Sequence, residues 1–294
     1  MKKAQSFGGD WTEDKLDRLT AYLAAYMQAM KNQPFRKIYV DAFANTGYRA
    51  ATSQTSSQEQ LFFELGEPEV QGFLKGSATR ALEVEPRFAE YLFIDIAPKH
   101  SKELEKLKSL HPDKADSIQI VTADANQYLK QWCIETDWTK NRAVLFLDPF
   151  GMQVEWSVLQ EIAKTKAIDL WLLFPFVGVN RHLTRGEPPP EEWAARITKI
   201  MGNEDWLKEF YPQKVQATLF GEEEVKSKDA DFDRIGAYFA KRLATIFPGV
   251  AKNPLPLRNS RNAPLFLLCF AVANVRAKKL ALDIAEHILD LKKR

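Results

Sequence analysis

The chain has 294 residues, 45% of them hydrophobic and 12% aromatic, which is enough for one large core and excludes a largely disordered chain. Its formal net charge of +2 neither requires nor excludes a nucleic-acid partner, because a basic face can be hidden within a balanced total. A chain with only two cysteines cannot be a disulfide scaffold. The sequence has neither a run of about 18 apolar residues nor a signal-like N-terminus, so we expect a cytoplasmic protein without a membrane segment.

The chain begins with a helical pattern and then changes to a strand. Leucine, tyrosine and methionine residues recur at helical spacing over 16–30, and a short apolar run at 37–43 predicts a buried strand. Residues 48–60 are rich in Ser, Thr and Gln and predict an exposed loop. Ser77 is placed to cap a helix over 77–84.

Strands and helices then alternate regularly. Apolar runs predict strands at 90–96, 117–122, 143–147 and 168–174. Amphipathic segments predict the helices between them, at 99–110, 126–133 and 156–164. Together with the first strand, five strands are joined by helices. This alternation predicts an α/β fold with a mostly parallel sheet and right-handed crossovers.

The alternation stops after the fifth strand. Residues 178–231 contain three consecutive prolines and several tryptophans, and we interpret them as a helical insertion. A helix at 232–247, a strand candidate at 265–275 and a helix at 279–291 follow. The predicted organisation is an N-terminal helical segment (1–36), a core (37–177), the insertion (178–231) and the end of the core (232–294).

Four predicted strands are followed by an aspartate. Asp41, Asp95, Asp124 and Asp148 each come from a different strand–helix unit. Ligands of open parallel sheets bind beyond the carboxyl ends of the strands, near the point where the strand order reverses. We therefore expect these four acids to lie at one edge of the sheet.

The first of these strand ends is the segment Asp41–Gly47. Small residues in this turn let backbone N–H groups approach a ligand closely, and the acid can hold a ligand ammonium group. We select Asp41, Phe43, Ala44 and Gly47 as candidate binding residues. The alternative is an ordinary connection between a strand and a helix.

Asp95 and Asp124 each have a functional and a structural interpretation. An acid at the end of the second strand can accept both hydroxyls of a ribose, but Asp95 could instead cap the helix before Pro98. Asp124, followed by Ala125, could accept an adenine amino group or cap the next helix. The residues by themselves leave both alternatives open.

The fourth strand end, Asp148-Pro149-Phe150-Gly151, carries the clearest functional signal. It places an acceptor and an aromatic face beside the expected crevice, and enzymes that act on nucleobases use polar contacts together with stacking surfaces. We select Asp148, Pro149 and Phe150 as candidate catalytic residues. The alternative is a tight turn with Asp148 as its cap and Phe150 in the core.

Together these residues resemble the class I methyltransferase pattern. More closely, the chain resembles the three-Cys-motif partner protein family over essentially its whole length. The resemblance is carried by short motifs: Gly8-Gly9-Asp10-Trp11-Thr12, Asp41-Ala42-Phe43, Gly76-Ser77-Ala78, Asp148-Pro149-Phe150-Gly151-Met152, Phe174-Pro175, Asn180-Arg181 and Pro256-Leu257-Arg258-Asn259-Ser260.

The resemblance implies a Rossmann-like methyltransferase sheet, S-adenosylmethionine as cofactor with S-adenosylhomocysteine as product, and a partner protein with a three-Cys motif of the radical-cofactor type. The first turn would hold the methionine part, Asp95 the ribose and Asp124 the adenine, while Asp148 would face a methyl acceptor, with nucleic acid among the candidates. Two positions depart from the pattern. Asn45 replaces a loop glycine, and Phe150 replaces the second proline of the amine-methylating motif.

These departures keep a second hypothesis open, in which the chain is a non-catalytic binding module that acts through the partner. For substrate binding we select Asn180, Arg181 and Arg258, because arginines near the crevice can bind phosphate with two hydrogen bonds. Ordinary surface charge is the alternative. The four histidines show no ligand spacing, so we expect no metal.

Overall fold

The computed structural model describes residues 10–44, 76–218 and 221–291. The helices are α1 (Asp10–Met30), α2 (Ser77–Leu82), α3 (Pro98–Leu110), α4 (Ala125–Glu135), α5 (Trp156–Lys164), α6 (Phe176–His182), α7 (Glu191–Met201), α8 (Asp205–Phe210), α9 (Phe232–Leu243) and α10 (Lys278–Leu289). The strands are β1 (Arg36–Asp41), β2 (Glu90–Asp95), β3 (Ile118–Thr122), β4 (Asn141–Leu147), β5 (Ile168–Phe174), β6 (Gln213–Thr218), β7 (Gly221–Lys226), β8 (Gly249–Val250), β9 (Leu255–Arg258) and β10 (Pro264–Val272).

The central sheet has the order β3-β2-β1-β4-β5-β10-β8, and β9 pairs with β10. The first five strands are parallel, whereas β10 runs antiparallel to both β5 and β8. This order confirms the predicted α/β fold with a mostly parallel, Rossmann-like sheet. The strand order reverses between β1 and β4, so the ligand crevice is expected beyond the carboxyl ends of these two strands.

Both faces of the sheet are buried. Every residue of β2 and β5 is buried, as parallel strands require when helices cover both faces. Side chains alternate between two cores: Ile38 and Val40 face α4, α5 and α9, whereas Tyr39 faces α1, α2, α3 and α10. The long apolar runs that predicted these strands therefore reflect burial on two sides.

The N-terminal helix α1 is part of this packing. Leu19, Tyr22 and Leu23 lie in the second core. The guanidinium of Arg18 donates hydrogen bonds to two backbone carbonyls at the end of the chain, those of Ile288 and Leu291. Helix α1 is thus held against the body of the protein at several points along its length.

The region after β5, predicted as a helical insertion, contains the helices α6, α7 and α8, followed by an antiparallel hairpin of β6 and β7 that the sequence pattern did not predict. Helix α7 is tied to the core by Glu155, whose carboxylate pairs with Lys199 at 3.0 Å and with Lys130 at 2.8 Å. These two ion pairs lower the pKa of Glu155 to about 2. The short strands β8 and β9 were also not predicted.

The predicted cap at Ser77 is wrong. Helix α2 has Gly76 as its N-cap, with no side-chain cap hydrogen bond. The Ser77 hydroxyl instead donates to the carboxylate of Asp41. A buried acid at the end of the neighbouring strand competes more effectively for this donor than a helix end, because a charge-assisted hydrogen bond is the stronger one.

Gly202 ends helix α7 in a left-handed conformation, with φ of 80°. A Cβ atom there would lie 2.2 Å from the ring of Trp156. We expect Gly202→Ala to lower the free energy of unfolding by about 2 kcal/mol or more, because it combines backbone strain with overpacking. Urea denaturation measures the change. Gly186→Ala is the matched control, since nothing lies within 4 Å of its added methyl; equal losses in the two variants would contradict the prediction.

Candidate functional site

The reversal of strand order brings Asp41 and Asp148 to adjacent strand ends. Asp41 is the last residue of β1 and pairs in register with Phe146 of β4, and Asp148 follows that strand directly. The backbone N–H of Ala42 donates to the Phe146 carbonyl at 3.1 Å, and that of Ala44 donates to the Ile94 carbonyl at 3.0 Å. These bonds hold the beginning of the predicted loop between its two neighbouring strands.

Asp41 is fully buried. Its Oδ2 accepts the Ser77 hydroxyl at 2.5 Å, whereas its Oδ1 has no hydrogen-bond partner among the described residues. Burial, with a smaller contribution from the nearby Asp148, raises the pKa of Asp41 to about 7, although the hydrogen bond from Ser77 and the charge of Lys15 both lower it. Asp41 is therefore a buried acid that changes charge near neutral pH.

Of the other residues of this loop that the sequence analysis singled out, two are described by the structure and two are not. Phe43 is half-buried against the core and Ala44 is buried. Asn45 and Gly47 lie outside the described residues, so the loop prediction and the question raised by Asn45 stay predictions.

Asp148 forms an ion pair with a residue that the sequence analysis did not select. Lys15 Nζ, from helix α1, lies 2.5 Å from Asp148 Oδ2. The Lys15 side chain is 6% exposed and that of Asp148 is 28% exposed. Lys15 also lies over the Trp11 ring, 5.3 Å from its centroid. One signal could have found Lys15: it stands one helical turn before Leu19, on the apolar face of α1.

The turn after Asp148 is braced from helix α4. Gly151 adopts a left-handed conformation with φ of 70°. The Phe150 backbone N–H donates to Gln153 Oε1 at 2.9 Å, and Asn126 Nδ2 donates to the Gln153 carbonyl at 2.9 Å. Pro149 is buried and Phe150 is half-exposed, so the aromatic ring is not a full core residue.

Asp95 accepts hydrogen bonds at the end of β2. Its Oδ1 accepts the Ala97 backbone N–H at 2.7 Å and lies 3.0 Å from His100 Nδ1. Asp95 itself is buried, but the next residue, Ile96, is 68% exposed. The predicted ribose acid therefore stands beside an exposed apolar side chain, which sequence reasoning missed.

Asp124 has the structural role that was proposed as its alternative. It is the N-cap of α4, and its Oδ1 accepts the Gln127 backbone N–H at 3.0 Å. Its side chain is half-buried, and Ala125, the first residue of the helix, is buried. Capping uses one carboxylate oxygen of Asp124, so this role is compatible with a second bond to a ligand.

The three predicted substrate-binding residues follow β5 or precede β10. Asn180 lies in α6, where its Oδ1 accepts a hydrogen bond from Lys228 Nζ at 2.6 Å. Arg181 is half-buried, and burial lowers its pKa. Arg258, at the end of β9, is exposed and lies over the Phe232 ring, 5.6 Å from its centroid.

Within residues 10–44, 76–218 and 221–291, no group of three or more His, Cys, Asp or Glu residues could hold a metal ion. No helix in the same ranges is both long enough and apolar enough to cross a membrane. Cys133 and Cys269 are buried free thiols.

No family model and no curated protein matches this chain. Among solved structures, a Legionella pneumophila protein of the family model DUF519 has a TM-score of 0.48 and 11% identity, covering 97% of this chain and 92% of that one. Spermidine synthase with the transition-state analogue AdoDATO has a TM-score of 0.41 and 10% identity, covering 97% and 73%. The N-terminal domain of EvdMO1 with SAH bound has a TM-score of 0.36 and 14% identity, covering 88% and 81%.

The hydrogen bond between Ser77 and Asp41 predicts a pH-dependent stability. Ser77 stabilises the ionised form of Asp41, whose folded pKa of about 7 lies above its ordinary value. We expect Ser77→Ala to lower the free energy of unfolding by about 1 kcal/mol near pH 5.5 and by about 2–3 kcal/mol near pH 8.5, because the charged acid loses more than the neutral one. Urea denaturation at both pH values measures this.

Ser117→Ala is the matched control, because that hydroxyl donates to a backbone carbonyl, that of Lys114. Ser117→Ala should lower the free energy of unfolding by the same amount at both pH values. If Ser77→Ala showed the same pH-independent loss, Ser77 would not be stabilising a charged Asp41.

Proposed function

We propose that this chain binds S-adenosylmethionine and transfers its methyl group to an acceptor held beyond β4. The observation that carries the proposal is the convergence of Asp41, Asp95, Asp124 and Asp148 on one edge of the sheet, where the strand order reverses. Open α/β sheets bind nucleotide-like ligands in this position.

The residues on the cofactor side fit such a ligand. The unpartnered Oδ1 of Asp41 would accept an ammonium group of the methionine part, near the backbone of Phe43 and Ala44. Because Asp95 Oδ1 is already engaged by Ala97, the ribose hydroxyls would bind Oδ2. Exposed Ile96 would offer an apolar surface to the flat adenine ring.

The remaining cofactor contact would come from helix α4. The carboxylate oxygen of Asp124 that does not cap the helix would accept the adenine amino group, beside Ala125. Gly47 belongs to the proposed methionine-binding loop, although it lies outside the described residues.

On the acceptor side, Asp148 would orient the reacting group. The bound cofactor would supply a methyl group on a sulfonium, and the acceptor's lone pair would form the new bond as the carbon–sulfur bond breaks. Asp148 would accept the proton that the acceptor loses, with Pro149 and Phe150 shaping the surface beside it. The work of the protein is then alignment of the two centres and exclusion of water.

The acceptor and the partner are finer parts of the proposal. Asn180, Arg181 and Arg258 would bind the acceptor, which we propose to be nucleic acid or a nucleoside-like group. The resemblance to the three-Cys-motif partner protein family supports a three-Cys-motif protein as partner. A non-catalytic binding module that acts through this partner is the second candidate, favoured by the engagement of Asp148 with Lys15.

Calorimetric titration with S-adenosylmethionine tests the cofactor assignment. We expect Asp95→Asn to weaken binding at least about tenfold, since a neutral amide loses the charge-assisted bonds to the ribose. Asp283→Asn, on the surface of α10, is the matched control and should bind like the wild type. No binding by the wild-type protein would disprove the assignment.

Transfer of a labelled methyl group to RNA, DNA or the three-Cys-motif protein separates an enzyme from a binding module. We expect Asp148→Asn to bind S-adenosylmethionine normally and to lose about a hundredfold or more in transfer rate, because it can no longer accept a proton. Unchanged transfer would remove Asp148 from the reaction, and no transfer to any of the three by the wild type would favour the binding module.

A further inference from the structure

Lys15 reaches the crevice from a helix that is firmly attached. Arg18, one turn further along α1, donates a hydrogen bond to the Leu291 carbonyl at 2.6 Å. Tyr22, a turn beyond that, donates to Asp169 Oδ2 at 2.7 Å in the interior. Because α1 is anchored by buried polar contacts, Lys15 is not a surface lysine that happens to approach Asp148.

The Lys15 ammonium interacts electrostatically with two acids, Asp148 and Asp41. It lies 2.5 Å from Asp148 Oδ2, and it is close enough to Asp41 to favour the ionised form of that carboxyl. Its side chain is almost completely buried, with the Trp11 ring beside it. A cation that is desolvated to this degree is stable because it is paired, so Lys15 and Asp148 hold each other in place.

This arrangement restricts which acceptors can bind. An aliphatic amine is an ammonium cation at neutral pH, and a buried site can hold it only with a carboxylate that is not already neutralised. At Asp148 the cation position is filled from within the chain. The other carboxylate oxygen of Asp148 belongs to a side chain that is 28% exposed and can accept an N–H or O–H group.

We propose that Lys15 is a specificity-determining residue: an internal counter-ion of Asp148 that excludes cationic aliphatic amines from the acceptor crevice. The acceptor is then a neutral or anionic group that presents an N–H or O–H to Asp148. This inference rests on the proposed function for the identity of the crevice, but its test needs no cofactor.

The test measures binding of putrescine, a small aliphatic diamine, by calorimetry without S-adenosylmethionine. Lys15→Met should bind the diamine at least about tenfold more tightly than the wild type, because Asp148 is then unpaired, whereas any binding through Asp41 is common to both proteins. Adding Asp148→Asn to Lys15→Met should remove that gain in affinity. Lys15→Arg, which keeps the cation, should behave like the wild type.

Two results would overturn the proposal: a folded Lys15→Met protein that does not bind putrescine, or a wild type that binds it as tightly as the variant. Circular dichroism checks folding, and Lys15→Gln replaces Lys15→Met if the latter does not fold. If wild-type protein fails to bind S-adenosylmethionine while the diamine results hold, the proposed function falls and the role of Lys15 stands.

A measurement on the wild type alone provides a further check. Limited acetylation of amines, followed by mass spectrometry, should label Lys15 at least about tenfold more slowly than Lys279, whose side chain is 89% exposed. Equal labelling of the two lysines would show that Lys15 is not seated against Asp148 in solution, and the proposal would fail.

Discussion

Burial of the parallel strands on both faces is the constraint on which the rest of this structure depends. Strands covered by helices on both sides have little place for polar side chains, so polar residues are concentrated at the strand ends, where the chain leaves the sheet. Asp169 in β5 is an instructive exception: it is buried, its pKa is raised to about 7 by burial, and the Tyr22 hydroxyl satisfies it. Asp41 and Asp148 meet at one edge because the strand order reverses between their strands.

The electrostatics of that edge are set by a helix from outside the strand–helix alternation. Helix α1 brings Lys15 to Asp148, across 133 residues of sequence. The ion pair offsets one of the two negative charges at the reversal point, and burial keeps Asp41 partly neutral near pH 7. This edge of the sheet is therefore much less acidic than its aspartates alone would indicate.

Much of the fold could be predicted from local pattern. The strands β4 and β5 are continuous apolar runs, and α5 has a regular apolar face, so the local sequence of each predicts whether it is a strand or a helix. The strands β8 and β9 have two and four residues, too few for a recognisable period, and they are strands only because β10 lies beside them. Ser77 shows the same limit, since its hydroxyl bonds to a distant acid in preference to its own helix.

The sequence by itself determined that this is a mostly parallel α/β protein and that acids follow its strands, because hydrophobic period and chain breaks are local properties. It also identified the four aspartates as candidate site residues. Only the tertiary structure decided what each one contacts: Asp124 caps its helix, Asp95 accepts the Ala97 N–H, and Asp148 pairs with Lys15. The physical reason is that a side chain's partner, unlike its hydrophobicity, depends on which distant segments the folded sheet brings together.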